Sequence, residues 1–143
     1  MNAEAREIDI FIAEDNPADV RLIEEALRDM QPPPAVRVAC DGEQVLQCLL
    51  EPVKPAPALL FLDLHLPKTD SREVLRRVRE QQRLRDTAVV VLSSSEVEDL
   101  MREAYSLGAD CYLSKPSDLD EFLRTIRRAA EYWLGLQRSA AAE

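Results

Sequence analysis

The chain has 143 residues, 46 % hydrophobic and 31 % charged, with a formal net charge of -9. That balance predicts one soluble domain over 1–143, with a core over about 7–134 and a tail at 135–143, and excludes nonspecific attraction to nucleic acid or anionic membranes. Three cysteines, odd in number and without a C-x-x-C pair, suggest neither a zinc site nor a disulfide framework, and the lack of a membrane-length apolar run or apolar signal core predicts a cytoplasmic protein.

In chain order, "IDIFIA" (8–13) reads as a strand apolar on both faces. Residues 16–30 read as a helix, with Asn16 as cap, Pro17 in the first turn, and Val20, Ile23, Leu27 and Met30 on one stripe. "QPPPA" (31–35) forces an extended connection before a second strand, 36–40. Asp41 caps a short helix over 42–50, which the proline-rich stretch 51–57 stops. A third strand follows at 58–63, then a helix over 71–84 with Val74, Leu75 and Val78 inward. Its arginines read as a solvated face rather than a nucleic-acid patch. A β-branched fourth strand spans 88–93, and a helix over 96–107 ends at Gly108 in a left-handed turn. The fifth strand is 110–114 and the last helix 117–134, with Ser117 and Asp120 at capping-box spacing and the tail beyond expected to fray.

Five strands alternating with five helices, and apolar on both faces, predict a parallel, doubly wound α/β sheet. Ligands of such sheets bind beyond the carboxyl ends of the strands, at a topological switch point. The polar residues gather at those ends: Glu14 and Asp15 after strand one, Asp63 at the end of strand three, Ser93 ending strand four, and Lys115 then Pro116 after strand five. Each has a plain structural explanation when taken alone, as turn residue, cap or solvated surface charge. Together they suit phosphoryl handling. Clustered carboxylates favour a hard cation such as Mg²⁺, which takes about six oxygens and keeps several waters. An aspartate can attack phosphorus to form an acyl phosphate, with lysine, hydroxyl and metal offsetting charge on the phosphoryl oxygens.

On "AEDN" (13–16), "LFLDLHLP" (60–67), "VVVLSSS" (89–95) and "YLSKP" (112–116), with 22 residues from Ser93 to Lys115, the chain resembles the response-regulator receiver domain of two-component signalling. The resemblance implies the flavodoxin-like receiver fold, with strand order 2-1-3-4-5. It implies that Asp63 accepts a phosphoryl group from the phosphohistidine of a sensor kinase. Asp15 would bind Mg²⁺ directly and Glu14 mostly through water, with Asp63 and the His65 backbone carbonyl completing the protein ligands. Lys115 would pair with the phosphoryl group, Ser93 would hydrogen-bond it, and the bond before Pro116 would be cis. Tyr112 stands at the switch-aromatic position, turning inward as Ser93 moves toward the phosphorylated Asp63. The chain departs from the family at Ser71, where glycine is usual, so the loop after strand three is expected to differ in shape.

"NPADVRLIEEAL" with "AEYWL" is similar to single-domain regulators that work with phytochrome-type histidine kinases, relatives that often form homodimers. Tyr132, Trp133 and Leu134 are the candidate dimer contacts, with packing on the domain's own surface as the alternative. The protein is expected to act by binding, as a diffusible regulator or phosphorelay carrier, with at most slow loss of its own phosphate and no DNA-binding helix. The competing enzyme class is a metal-dependent phosphatase with an aspartate nucleophile. His65 stands where such enzymes place a second acid, which weighs against it.

Overall fold

The computed structural model describes residues 8–51, 56–95 and 97–142, with 137–142 described for their backbone alone. Residue 7, part of the proline-rich stop at 51–57, and residue 96 at the expected start of the fourth helix lie outside them. The elements are β1 (Ile10–Ala13), α1 (Pro17–Arg28), β2 (Val36–Ala39), α2 (Gly42–Leu49), β3 (Leu59–Asp63), α3 (Ser71–Glu80), a 3₁₀ turn (Gln82–Leu84), β4 (Ala88–Ser93), α4 (Glu98–Ser106), β5 (Cys111–Ser114) and α5 (Leu119–Ala142). The sheet is five-stranded in the order β2-β1-β3-β4-β5, and every pairing is parallel.

Alternation along buried strands divides the core in two. Phe11, Ala13, Leu60, Leu62, Val89 and Val91 face the layer of α2, α3 and α4. Ile10, Ile12, Leu59, Phe61, Val90 and Leu92 face α1 and α5, meeting Ile23, Leu27, Phe122, Ile126 and Ala130. Burying a side chain of this size contributes roughly 1.5–3 kcal/mol, so the two layers hold the strand ends in a fixed register.

The Asn16 and Asp41 caps form as expected, accepting from the N–H groups of Ala18 at 2.9 Å and Gln44 at 2.8 Å. At α5 the cap is Asp118 rather than Ser117; its carboxylate accepts from the Glu121 N–H at 3.1 Å. Leu119, in the first turn after this cap, is 60 % exposed. The expected fraying after residue 134 is not seen, and helix continues to Ala142. No proline interrupts that stretch, alanines favour the helix, and the single Gly135 costs only about 1 kcal/mol.

Among the described residues the only cis peptide bond is Gln31–Pro32. The Lys115–Pro116 bond, expected cis, is not. Trans is the intrinsic preference of the amide, and the Lys115 N–H extends the β4–β5 ladder by donating to the Ser93 carbonyl at 2.7 Å. Gly108 does take the left-handed turn, with φ 109°.

Candidate functional site

The chain leaves β1 for the edge strand β2 and returns as β3 on the other side, so the crevice between β1 and β3 is the switch point. Ala13 pairs with Leu62, which sets Glu14 and Asp15 beside Asp63 just past the strand ends. One carboxylate oxygen from each of the three lies within 4.8 Å of the others. Lys115 follows β5, two strands away from β3, and a long side chain is needed to cross the end of β4. Its Nζ stands 2.7 Å from Glu14 Oε2, 3.0 Å from Asp19 Oδ2 and 3.6 Å from Asp63 Oδ2.

Asp19 is the residue that sequence reasoning missed. It sits in the first turn of α1, where an acid is adequately explained by the helix dipole. Nothing in the sequence points from it to Lys115, 96 residues away.

Three carboxyl groups, Glu14, Asp19 and Asp63, thus crowd one ammonium, and Asp15 adjoins Glu14 and Asp63. Glu14 is only 1 % exposed. Burial and the hydrogen bond it shares with Asp63 push its carboxyl up to about 7, against the opposing pull of Lys115. For Asp63 burial acts upward too. The Glu14 hydrogen bond, the His65 N–H donating to Oδ1 at 3.0 Å and the charge of Lys115 outweigh it, and the carboxyl is held below its usual value. Lys115 is opposed by burial, yet hydrogen bonds to Glu14 and Asp19 keep it firmly protonated. A proton on Glu14 relieves the crowding in part. A hard divalent cation would do so more fully, and an all-oxygen donor set with an exposed Asp15 at its mouth fits Mg²⁺ or Mn²⁺.

Ser93 is fully buried at the end of β4, and its hydroxyl accepts from the Ser95 N–H at 3.0 Å. Tyr112 is 6 % exposed, with its hydroxyl donating to the Ser95 carbonyl at 2.9 Å. An outward resting position for Tyr112 is therefore not observed. The ring already fills the core, and the Ser95 carbonyl satisfies its hydroxyl.

Ser71 needs no unusual backbone. The left-handed residue of this loop is Lys68, φ 73°. The Ser71 hydroxyl, buried, donates to the Asp63 carbonyl at 2.6 Å and accepts from the Leu66 N–H at 3.2 Å, so it ties the loop closed beneath Asp63 and His65. Gly42 braces the loop from α2. Its N–H donates to the Pro67 carbonyl at 3.0 Å, and an added Cβ would sit 2.3 Å from the Thr69 carbonyl oxygen.

Of the candidate dimer residues, Leu134 is 3 % exposed and packs in the domain's own core, so it is not available as a contact. Tyr132 is 60 % exposed and meets Trp133 edge to face at 4.9 Å. Among the described residues no helix is long and apolar enough to cross a membrane.

The chain matches the response regulator receiver domain over residues 10–127. It is 37 % identical over 133 residues to the "Probable methanogenesis regulatory protein FilR2" of Methanothrix harundinacea, covering 91 % of this chain and 86 % of that protein. The structure of the phosphorylated cyanobacterial phytochrome response regulator RcpA superposes with a TM-score of 0.84 at 37 % identity, covering 90 % of this chain and 94 % of that one. The Mn²⁺-bound form of response regulator Rcp1, a name borne by a Synechocystis sp. protein, superposes at 0.81 with 33 % identity, covering 87 % and 93 %.

Proposed function

This chain belongs to the response regulator receiver family, and from that premise we propose that it accepts a phosphoryl group on Asp63 from a sensor histidine kinase. The observation carrying the reading is the convergence of Glu14, Asp15 and Asp63 within 4.8 Å, with Lys115 Nζ 3.6 Å from Asp63. A bound Mg²⁺ would supply positive charge to the phosphoryl oxygens. Asp15, Glu14, Asp63 and the His65 carbonyl are the groups to hold it. Asp63 is the nucleophile: its carboxylate oxygen bonds to phosphorus as the donor's P–N bond breaks and the donor histidine leaves. Its lowered proton affinity keeps that oxygen ionised at neutral pH. Lys115 offsets charge on the transferred group.

The read-out runs through Ser95. Ser93 accepts from its N–H and Tyr112 donates to its carbonyl. A phosphoryl group that draws the Ser93 hydroxyl away removes one of those two ties and shifts the population of the β4–α4 segment that Tyr112 grips. The kinase is of the phytochrome type, as the names of the relatives suggest, and the receiver domain acts through a changed interaction surface. Tyr132 and Trp133 are the residues for a homodimer contact; a purely monomeric species by light scattering counts against that part.

The test is incubation with acetyl phosphate and Mg²⁺ followed by intact-mass measurement. Wild type gains one phosphoryl mass, whereas Asp63→Asn and wild type with chelator gain none. Equal labelling of Asp63→Asn overturns the assignment.

A further inference from the structure

Among the described residues Lys115 is the one amine beside Asp63, and it has more partners than offsetting a phosphoryl group requires. Its ammonium has three N–H donors. In this structure one points to Glu14 at 2.7 Å and one to Asp19 at 3.0 Å, while Asp63, the acceptor, is the most distant of its carboxylates at 3.6 Å. Glu14 belongs to the cation site. Asp19 does not, because it falls outside the group of carboxylates close enough to share an ion. It comes from the first turn of α1, and its side chain is partly exposed, with Lys115 its only ion-pair partner among the described residues.

We propose that Asp19 is a positioning residue that holds Lys115 back from Asp63 and so slows phosphoryl acceptance. This rests on the phosphoacceptor reading above. For Lys115 to stabilise a phosphoryl group arriving on Asp63, it must turn from Asp19 toward the new oxygens. The cost of leaving a charge-assisted hydrogen bond then falls within the barrier to transfer. The same ammonium returns to Asp19 once the phosphate is lost, so Asp19 sets the rate of charging without touching the donor, the metal or the acceptor.

The prediction is unusual in sign, since removing a pocket carboxylate speeds the reaction. Asp19→Asn should take label from acetyl phosphate about tenfold faster than wild type, the scale of one hydrogen bond to a charged group. The gain should appear in the rate at saturating acetyl phosphate rather than in the concentration giving half that rate, since weaker repulsion of the donor would act on the latter. Asp19→Glu, which keeps the carboxylate, should label at close to the wild-type rate. In a Lys115→Met background, Asp19→Asn should give no gain, whether that parent labels slowly or not at all. A second readout needs neither phosphate nor metal. In the metal-free protein, Asp19→Asn should lower the unfolding midpoint when Lys115 is present and raise it when residue 115 is methionine. A rate that is unchanged or reduced in Asp19→Asn, or a gain that persists without Lys115, overturns the proposal. Failure of wild type to label at all instead overturns the phosphoacceptor reading, and the unfolding experiment then decides the Asp19–Lys115 pair by itself.

Discussion

Arg79 and Lys115 are partly buried cations at opposite ends of the β-sheet, and the two are held in opposite ways. At the amino edge, Arg79 of α3 donates from Nε to the Gly108 carbonyl at 2.8 Å and from Nη1 to the Thr87 carbonyl at 2.9 Å, and it pairs through Nη2 with Asp110 at 2.7 Å. The Asp110 oxygen also accepts from the Val89 N–H at 2.8 Å. Fixed carbonyls and a single carboxylate match the guanidinium in number and direction. At the carboxyl edge, one mobile ammonium faces carboxylates in excess. The first arrangement is balanced, and it clamps α3 to the loops before β4 and β5. The second is unbalanced, an acidic cluster in excess of its one ammonium.

Replacing each cation gives the largest separation between the two ends. Arg79→Met should lower stability by about 2 kcal/mol, because it leaves the partly buried carbonyls of Gly108 and Thr87 without their donor, while leaving phosphoryl acceptance intact in the folded fraction. Lys115→Met should cost far less stability in the presence of Mg²⁺ but cut the labelling rate by about a hundredfold. Chemical denaturation and mass-resolved labelling of the two variants side by side check both halves. Equal effects on both readouts would erase the distinction.

Next in size is Gly108→Ala. Its φ of 109° disfavours any side chain, and the new Cβ would lie 2.6 Å from Arg79 Cγ. A loss of about 2 kcal/mol is expected, and an Arg79→Ala background should reduce it because the steric part disappears.

The pH dependence is of similar or smaller size and belongs to the carboxyl edge. Glu14 has its proton affinity raised from an ordinary 4.5 to about 7. Its contribution is therefore fully present below about 4.5 and lost as pH rises through about 7 in the metal-free protein. Asp63, lowered from 3.8, runs the other way, with its contribution present above 3.8 and lost as pH falls below it. Metal-free Glu14→Gln should show no decline in unfolding temperature between pH 5 and 8, whereas wild type should decline. Tyr105→Phe should have the smallest effect: the Tyr105 hydroxyl accepts from the Tyr112 N–H on the edge strand β5 at 3.1 Å, and its loss should cost about 1 kcal/mol or less in denaturant unfolding.

The comparison also explains what could be read from the sequence. Strand ends were legible because their neighbours are continuous apolar runs, so a lone Asp63 after five apolar residues stands out, and parallel register then carries Glu14 and Asp15 to it. Asp19 was not legible, because its contact depends on how α1 lies across the sheet, and an acid in a first turn is common. Ser71 was noticed for the wrong reason: the strained backbone sits at Lys68, and the hydroxyl of Ser71 is what matters. Leu134 and Tyr112 differ from expectation for separate reasons. Periodicity places Leu134 on a helix face but does not say where the core stops, so it lies deeper than expected, whereas the outward Tyr112 followed from the family resemblance alone and the ring is already inside. The Arg79 clamp spans 31 residues to Asp110, and in sequence its arginine is indistinguishable from the solvated ones beside it.

The central claim is that the carboxyl edge carries uncompensated negative charge suited to a divalent cation. It is tested most directly by unfolding the protein at pH 8 with and without Mg²⁺, alongside Asp15→Asn. Mg²⁺ should raise the wild-type unfolding temperature in a concentration-dependent way, reaching about 2.7 kcal/mol of added stability at a hundred times the dissociation constant, and Asp15→Asn should lose most of this response. Superimposable wild-type unfolding curves at all Mg²⁺ concentrations would contradict it.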